Sequence, residues 1–183
     1  MPMERIEQLR QQVLVLKCQT GDRLAWEELY RQYNPSLGYY LRRLMGNDAL
    51  AEDVQQEVWL TVVRNIGGLK SPEAFTVWLY RIARTRAIDR VQSKAWHAEL
   101  IEEAVEHVDA SDDDAFSPAD AARVHAGLAT LAAAHREVLL LRFMEDLSYE
   151  EIAQVIGSSV GTVRSRIHYA KGALRRQLEK DHE

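Results

Sequence analysis

Between Gly157 and Leu178 the chain carries Arg164, Arg166, Lys171, Arg175 and Arg176 and no acid. A helix with that unopposed charge is drawn to phosphate. Its first turns fit the DNA major groove, where polar side chains reach base edges while N-terminal N–H groups grip the backbone. Ser159, Thr162, Arg164, Ser165, Arg166, His168, Tyr169 and Lys171 are the candidate readers. A second basic run spans Leu79–Gln92, with Arg81, Arg84, Arg86 and Arg90 against one acid, Asp89. Arginines beside aromatics such as Phe75 and Trp78 can clamp a phosphate backbone and stack unpaired bases. The same spacing also suits Phe75 and Trp78 as core, with the arginines solvating its outside.

Catalytic chemistry has no comparable support. The chain holds no pair of Glu-x-x-His motifs suited to a di-metal bundle and no glycine-rich phosphate loop. Its six histidines are scattered, and His97, His107 and His125 are too widely spaced for a metal site. No cofactor and no metal are expected, and the chain is not expected to be an enzyme.

The elements that must present these residues are legible in the periodicity. Ser148 and Glu151 form a capping box at the start of a helix. Gly157 stands where that helix must stop and turn at positive φ, and Ser158-Ser159 offer the next N-cap. Ile152, Ala153, Ile156, Val160, Val163 and Ile167 then face inward from two helices crossing at a short turn, a helix-turn-helix. Ala121–Thr130 and His135–Met144 are expected to be helices before it. In the first half, Leu24, Trp26, Leu29, Tyr30, Tyr33, Leu37, Tyr40, Leu41 and Leu44 follow one helical stripe, which Pro35 is expected to bend or divide. A second helix from Ala49 to about Asn65 turns Leu50, Val54, Val58, Leu60 or Thr61 and Val62 inward, with Glu52, Asp53, Gln55, Gln56 and Glu57 on its other face. Gly67-Gly68 breaks the chain, and Ser71-Pro72 starts the arginine-rich helix, with Ser71 as N-cap.

Composition agrees with a helical, soluble protein. Of 183 residues, 46% are apolar and 28% charged, and only 4 Pro and 9 Gly are present, too few for a turn-rich β fold. A lone cysteine, Cys18, excludes an internal disulfide framework and fits a reducing cytoplasm, where it is either a buried residue or a redox switch. The N-terminus has no apolar core of signal-peptide length, and no run is long enough for a membrane span. The net charge of −5 argues against nucleic acid until it is divided. Residues 1–92 carry 13 Lys/Arg and 11 Asp/Glu, and residues 121–183 carry nine and eight. Residues 93–120 carry Lys94 against nine acids, so the whole deficit belongs to one stretch. Its Asp109-Ala-Ser-Asp-Asp-Asp and Ser117-Pro118 read as a linker, although Leu100-Ile-Glu-Glu-Ala-Val could form a short helix. The expected fold is all-α: a helical domain over 1–92, an acidic linker over 93–120, and a second helical domain over 121–183 with the helix-turn-helix. One helical domain with an acidic surface loop is the alternative.

These strings resemble the extracytoplasmic-function (ECF) class of bacterial RNA polymerase sigma factors. Ala25-Trp-Glu-Glu-Leu-Tyr and Ala51-Glu-Asp-Val-Gln-Gln-Glu-Val-Trp-Leu are similar to the family's polymerase-binding helices. Phe75-x-x-Trp78-Leu-x-x-Ile82-Ala83-Arg84 with Asp89-Arg90 is similar to its −10 and melting helix. Tyr149-Glu-Glu-Ile-Ala and Gly161-Thr-Val-Arg-Ser-Arg-Ile are similar to its −35 reader. The resemblance spans about residues 22–178 in the family's order, with departures at Thr85, where Asn is usual, and at Tyr169, where Arg is frequent. It implies binding to core RNA polymerase through Asp53, Gln56, Glu57 and Trp59, and recognition of a two-part promoter. It implies −10 recognition and melting by Asn65, Lys70, Arg81, Arg84, Arg86 and Arg90, the loop Asn65–Ser71 capturing a flipped-out base. It also implies −35 recognition by the readers named above, a linker lying in the polymerase cleft, an anti-sigma partner, no membrane insertion and a monomer when free.

Overall fold

The computed structural model of the chain describes residues 2–91, Trp96, Ala98 and residues 127–180. Those residues are all-α: α1 (Pro2–Gln19), α2 (Arg23–Met45), α3 (Asp48–Asn65), 3-10 turns at Ile66–Gly68 and Pro72–Ala74, α4 (Phe75–Arg90), α5 (Ala133–Met144), α6 (Tyr149–Ile156) and α7 (Val160–Lys180). Helices α1–α4 form one small helical domain and α5–α7 another. The expected linker and its early helix lie outside the described residues, as do most of the helix expected over Ala121–Thr130 and His97, His107 and His125.

Local chemistry starts and stops the helices. The Asp22 carboxylate accepts the N–H groups of Leu24 and Ala25 at the start of α2, and Gly46 ends it at φ 65°. Asn47 then accepts the Leu50 N–H to open α3. Helix α2 runs through Pro35 as one helix, so of the bend or division expected there the division does not occur. A proline removes one intrahelical N–H, and beside it Gln55 of α3 donates to the Asn34 carbonyl at 2.7 Å. Ser71 takes the extended backbone of a cap without a side-chain bond, and Pro72 leads a 3-10 turn before α4 begins.

The buried row of α2 is Ala25, Leu29, Tyr33, Leu37, Tyr40, Leu41 and Leu44. Leu24 and Tyr30, expected in that stripe, are 74% and 49% exposed because each stands one position off the row. On α3, Ala51, Val54, Val58 and Val62 are buried, while Leu60 faces solvent. A 3.6-residue repeat sets Leu60 nearly opposite Val58 and Val62, so of the two residues expected inward there it is Thr61 that is half-buried. Phe75 is fully buried and lies edge-on to Tyr33 at 5.1 Å, so it belongs to the core. Helix α1 packs Leu14, Val15 and Cys18 inward and leaves Ile6, Leu9, Val13 and Leu16 exposed. Its Gln19 amide donates to the carbonyls of Ile66 and Leu69 at 2.8 and 2.7 Å, pinning the loop between α3 and α4.

The two domains pack on each other, α5 against α2 and α6 against α4. Among the described residues no helix is long and apolar enough to cross a membrane.

Candidate nucleic-acid interface

The helix-turn-helix is set by three local devices. Ser148 and Glu151 complete the capping box: the Glu151 carboxylate accepts the Ser148 N–H at 2.8 Å while the Ser148 hydroxyl accepts the Glu151 N–H. Gly157 closes α6 at φ 68°, and its N–H donates to the Ala153 carbonyl. The Ser159 hydroxyl then accepts the Thr162 N–H at 3.0 Å, capping α7. Ile152, Ile156, Val163 and Ile167 lock the two helices together as a buried cluster.

Helix α7 sorts its candidate readers onto two faces. Ser159, Arg164 and His168 are exposed, with Arg175 and Arg176 further along. Tyr169 and Lys171 are half-buried, Lys171 over the Phe143 ring at 5.5 Å and Tyr169 edge-on to His168 at 5.7 Å. Thr162, Ser165 and Arg166 are buried. Ser165 donates to the Gly161 carbonyl at 3.1 Å, and Arg166 lies within the electrostatic reach of His135 and Glu137 on α5. Burial and Arg166 together pull the His135 imidazole below its ordinary value.

The arginines of α4 are dispersed in the same way. Arg81 is exposed. Arg86 donates to the Thr61 hydroxyl at 3.3 Å, and Arg90 pairs with Glu57 of α3. Arg84 turns away from solvent: its Nε donates to Glu137 of α5 at 3.0 Å, with the Arg84 side chain 13% exposed and the Glu137 side chain fully buried. Asn65, the last residue of α3, and Lys70, in the loop ahead of α4, are both exposed. On α3, Asp53 and Gln56 face solvent, Glu57 is engaged by Arg90, and Trp59 is only 8% exposed. The Trp59 indole donates to the Asn34 side chain at 3.0 Å, and its ring meets Tyr30 at 5.0 Å. These residues and Leu60 line an open groove of about 470 Å³ between α2 and α3.

The polar seam between the domains is what sequence reasoning missed. Glu137 accepts the Tyr40 hydroxyl at 2.9 Å as well as Arg84, while its other oxygen is buried without a hydrogen bond. Burial pushes its carboxyl above the usual range, against the opposing pull of Arg84, Tyr40 and Arg166. The preceding residue, Arg136, donates to the carbonyls of Arg43 in α2 and of Leu128 and Leu131 in its own domain, at 2.7, 2.8 and 2.8 Å. Glu145, just past α5, sits near Tyr80 and Ser36 of the first domain, and burial pushes its carboxyl above the usual range. The available signal was an acid, Glu137, set beside the apolar run Val138-Leu-Leu-Leu141.

Comparison with known proteins places this arrangement. The Sigma-70 region 2 family matches residues 29–97 and the Sigma-70, region 4 family matches residues 121–174. The chain is similar to the ECF RNA polymerase sigma factor SigW of Bacillus subtilis, 30% identical over 176 residues that cover 90% of this chain and 94% of that protein. It is 35% identical over 169 residues to the ECF RNA polymerase sigma factor SigE of Mycolicibacterium smegmatis, a match covering 88% of this chain and 65% of that longer relative. In fold it resembles the sigma factor RpoE in complex with the anti-sigma factor NepR from Bartonella quintana, with a TM-score of 0.63 and 20% identity over 84% of this chain and 96% of that one.

Proposed function

Because the chain belongs to the ECF class of RNA polymerase sigma factors, we propose that it binds core RNA polymerase, directs it to two-part promoters and assists DNA opening. The observation that carries this reading is the order of the two sigma regions along two helical domains, the second closing on a helix-turn-helix whose last helix exposes Arg164, His168, Arg175 and Arg176. In this reading residues 1–92 serve polymerase and the −10 element, residues 93–120 are the linker, and residues 121–183 serve the −35 element.

The exposed Asp53 and Gln56, with Glu57 and the Trp59 edge, are the polymerase-facing set on α3. Asn65, Lys70 and Arg81 are exposed for the −10 region, and Arg84, Arg86 and Arg90 join them once released from their present partners. On α7, Ser159, Arg164 and His168 lead the −35 contacts, and Tyr169 and Lys171 flank them. Thr162 and Ser165 support the helix start, and Arg166 backs it from the domain interior. The protein acts by binding and not by catalysis, in the cytoplasm, as a monomer when free. RpoE of Bartonella quintana is held by an anti-sigma factor, and a regulator of that kind is the expected partner here.

Reconstitution with core RNA polymerase tests the reading. Co-elution with core enzyme and run-off transcription from a subset of genomic promoters are expected. Purified protein that neither binds core enzyme nor initiates from any promoter would overturn it.

A further inference from the structure

We infer that Glu137 is an internal latch that holds the two domains closed and withholds Arg84 from DNA in the free protein. The inference rests on the proposed function, in which Arg84 serves the −10 region, and deepens it by naming how that site is regulated.

The Glu137 side chain has no exposure, yet the groups at 3.0 and 2.9 Å from its carboxylate, Arg84 Nε and Tyr40 Oη, both belong to the other domain. The carboxylate is thus paired across the meeting of the domains, with Arg166 of its own domain also in electrostatic reach. A helix packed for permanence would place leucine there, as α5 does at Leu140 and Leu141. A buried carboxylate loses its water on closure and regains it on opening, so an ionic seam is easier to part than an apolar one. The second Glu137 oxygen, buried without a hydrogen bond, leaves part of that cost standing. Arg136, one residue earlier, adds a donor to the C-terminal carbonyl end of α2 at Arg43, 2.7 Å away. The Arg84 guanidinium sits only 13% exposed in the closed form. Buried against Glu137, it is held away from a DNA phosphate that would otherwise compete for it. Whatever separates α5 from α2 and α4 therefore breaks the Arg84–Glu137 pair and opens that carboxylate to water in one step.

The test uses the full-length protein. Glu137→Gln removes the ion pair and keeps the shape. Tyr40→Phe removes one hydrogen bond, keeps the ring in the core and changes no charge, so it separates the latch from a general gain of positive potential. Each variant is checked for helicity by circular dichroism, its radius of gyration is measured by small-angle scattering, and its affinity for a labelled single-stranded oligonucleotide is titrated without polymerase. Expected are a larger radius and DNA binding tighter by roughly tenfold for Glu137→Gln and about threefold for Tyr40→Phe, as expected for losing a charged or a neutral hydrogen bond. Both gains should vanish in an Arg84→Ala background. Unchanged radius and affinity in either folded variant overturn the latch, as does a gain that persists without Arg84, or a larger radius with no gain in affinity. If Glu137→Gln does not fold, Tyr40→Phe decides alone. Promoter initiation by the wild-type protein with core polymerase, measured in parallel, separates the two readings. Its failure sinks the function while the radius still reports on the seam, and its success beside unchanged variants sinks the latch alone.

Discussion

At the scale of single residues, burial decides what a side chain can do. Cys18 is 3% exposed, and burial, with Asp22 and Glu28 nearby, pushes its thiol up to about 11. The thiolate is the nucleophile, so at pH 7.5 iodoacetamide should alkylate the native protein at less than ~5% of the rate seen in urea. Native-state alkylation at the unfolded rate would restore the redox-switch reading of this cysteine. Arg84 and Glu137 make the converse point. The arginine was legible in the sequence as a member of a basic helix, but its partner lies 53 positions away, and no local period encodes a cross-domain pair. The same holds for Tyr40, whose place on the α2 stripe was plain while its hydroxyl's destination was not.

At the scale of elements, the helix-turn-helix was the most readable part because its instructions are local. Ser148, Glu151, Gly157 and Ser159 each act within three or four residues of themselves. Ser148→Ala should lower stability by about 1 kcal/mol, and a residue with a Cβ at Gly157, where φ is 68°, should cost a similar ~1–2 kcal/mol. Urea denaturation would measure both. The apolar stripe is wider than the buried row it marks at Leu24 and Tyr30: apolar type fixes the period but not the edge of the contact. The α5–α7 contact also predicts a pH response. His135 has its folded pKa below 6.5, so the unfolded chain binds the extra proton first as pH falls. Its contribution is therefore intact above pH 6.5 and is lost through the window just below it. The stability difference between wild type and His135→Gln should shift in the mutant's favour on going from pH 7.5 to 5.5, as read from paired melting curves. A difference independent of pH would show that His135 is not desolvated.

At the scale of the whole molecule, charge is partitioned rather than balanced. Residues 1–92 and 121–183 are slightly basic, and the acidic excess resides in residues 93–120, where Lys94 stands against nine acids. Acidic residues of the same chain compete with phosphate for its basic helices. Replacing Asp109 and Asp112–Asp114 with asparagine should therefore strengthen non-specific DNA binding by the free protein at low salt, with the effect shrinking as salt rises. Fluorescence anisotropy at two ionic strengths would test this, and equal affinities at low salt would remove the segment from the electrostatics. The seam responds to salt differently. Arg136 and Glu137 are consecutive, opposite in sign and both bonded across the seam, and the Arg84–Glu137 pair there is sheltered from mobile ions. Screening reaches such a contact weakly, whereas every phosphate contact made by an open form is weakened in proportion to the counterions it releases. Ionic strength thus acts on one arm of the equilibrium: a cell that accumulates salt would shift this protein toward its shut form without touching the contacts that shut it.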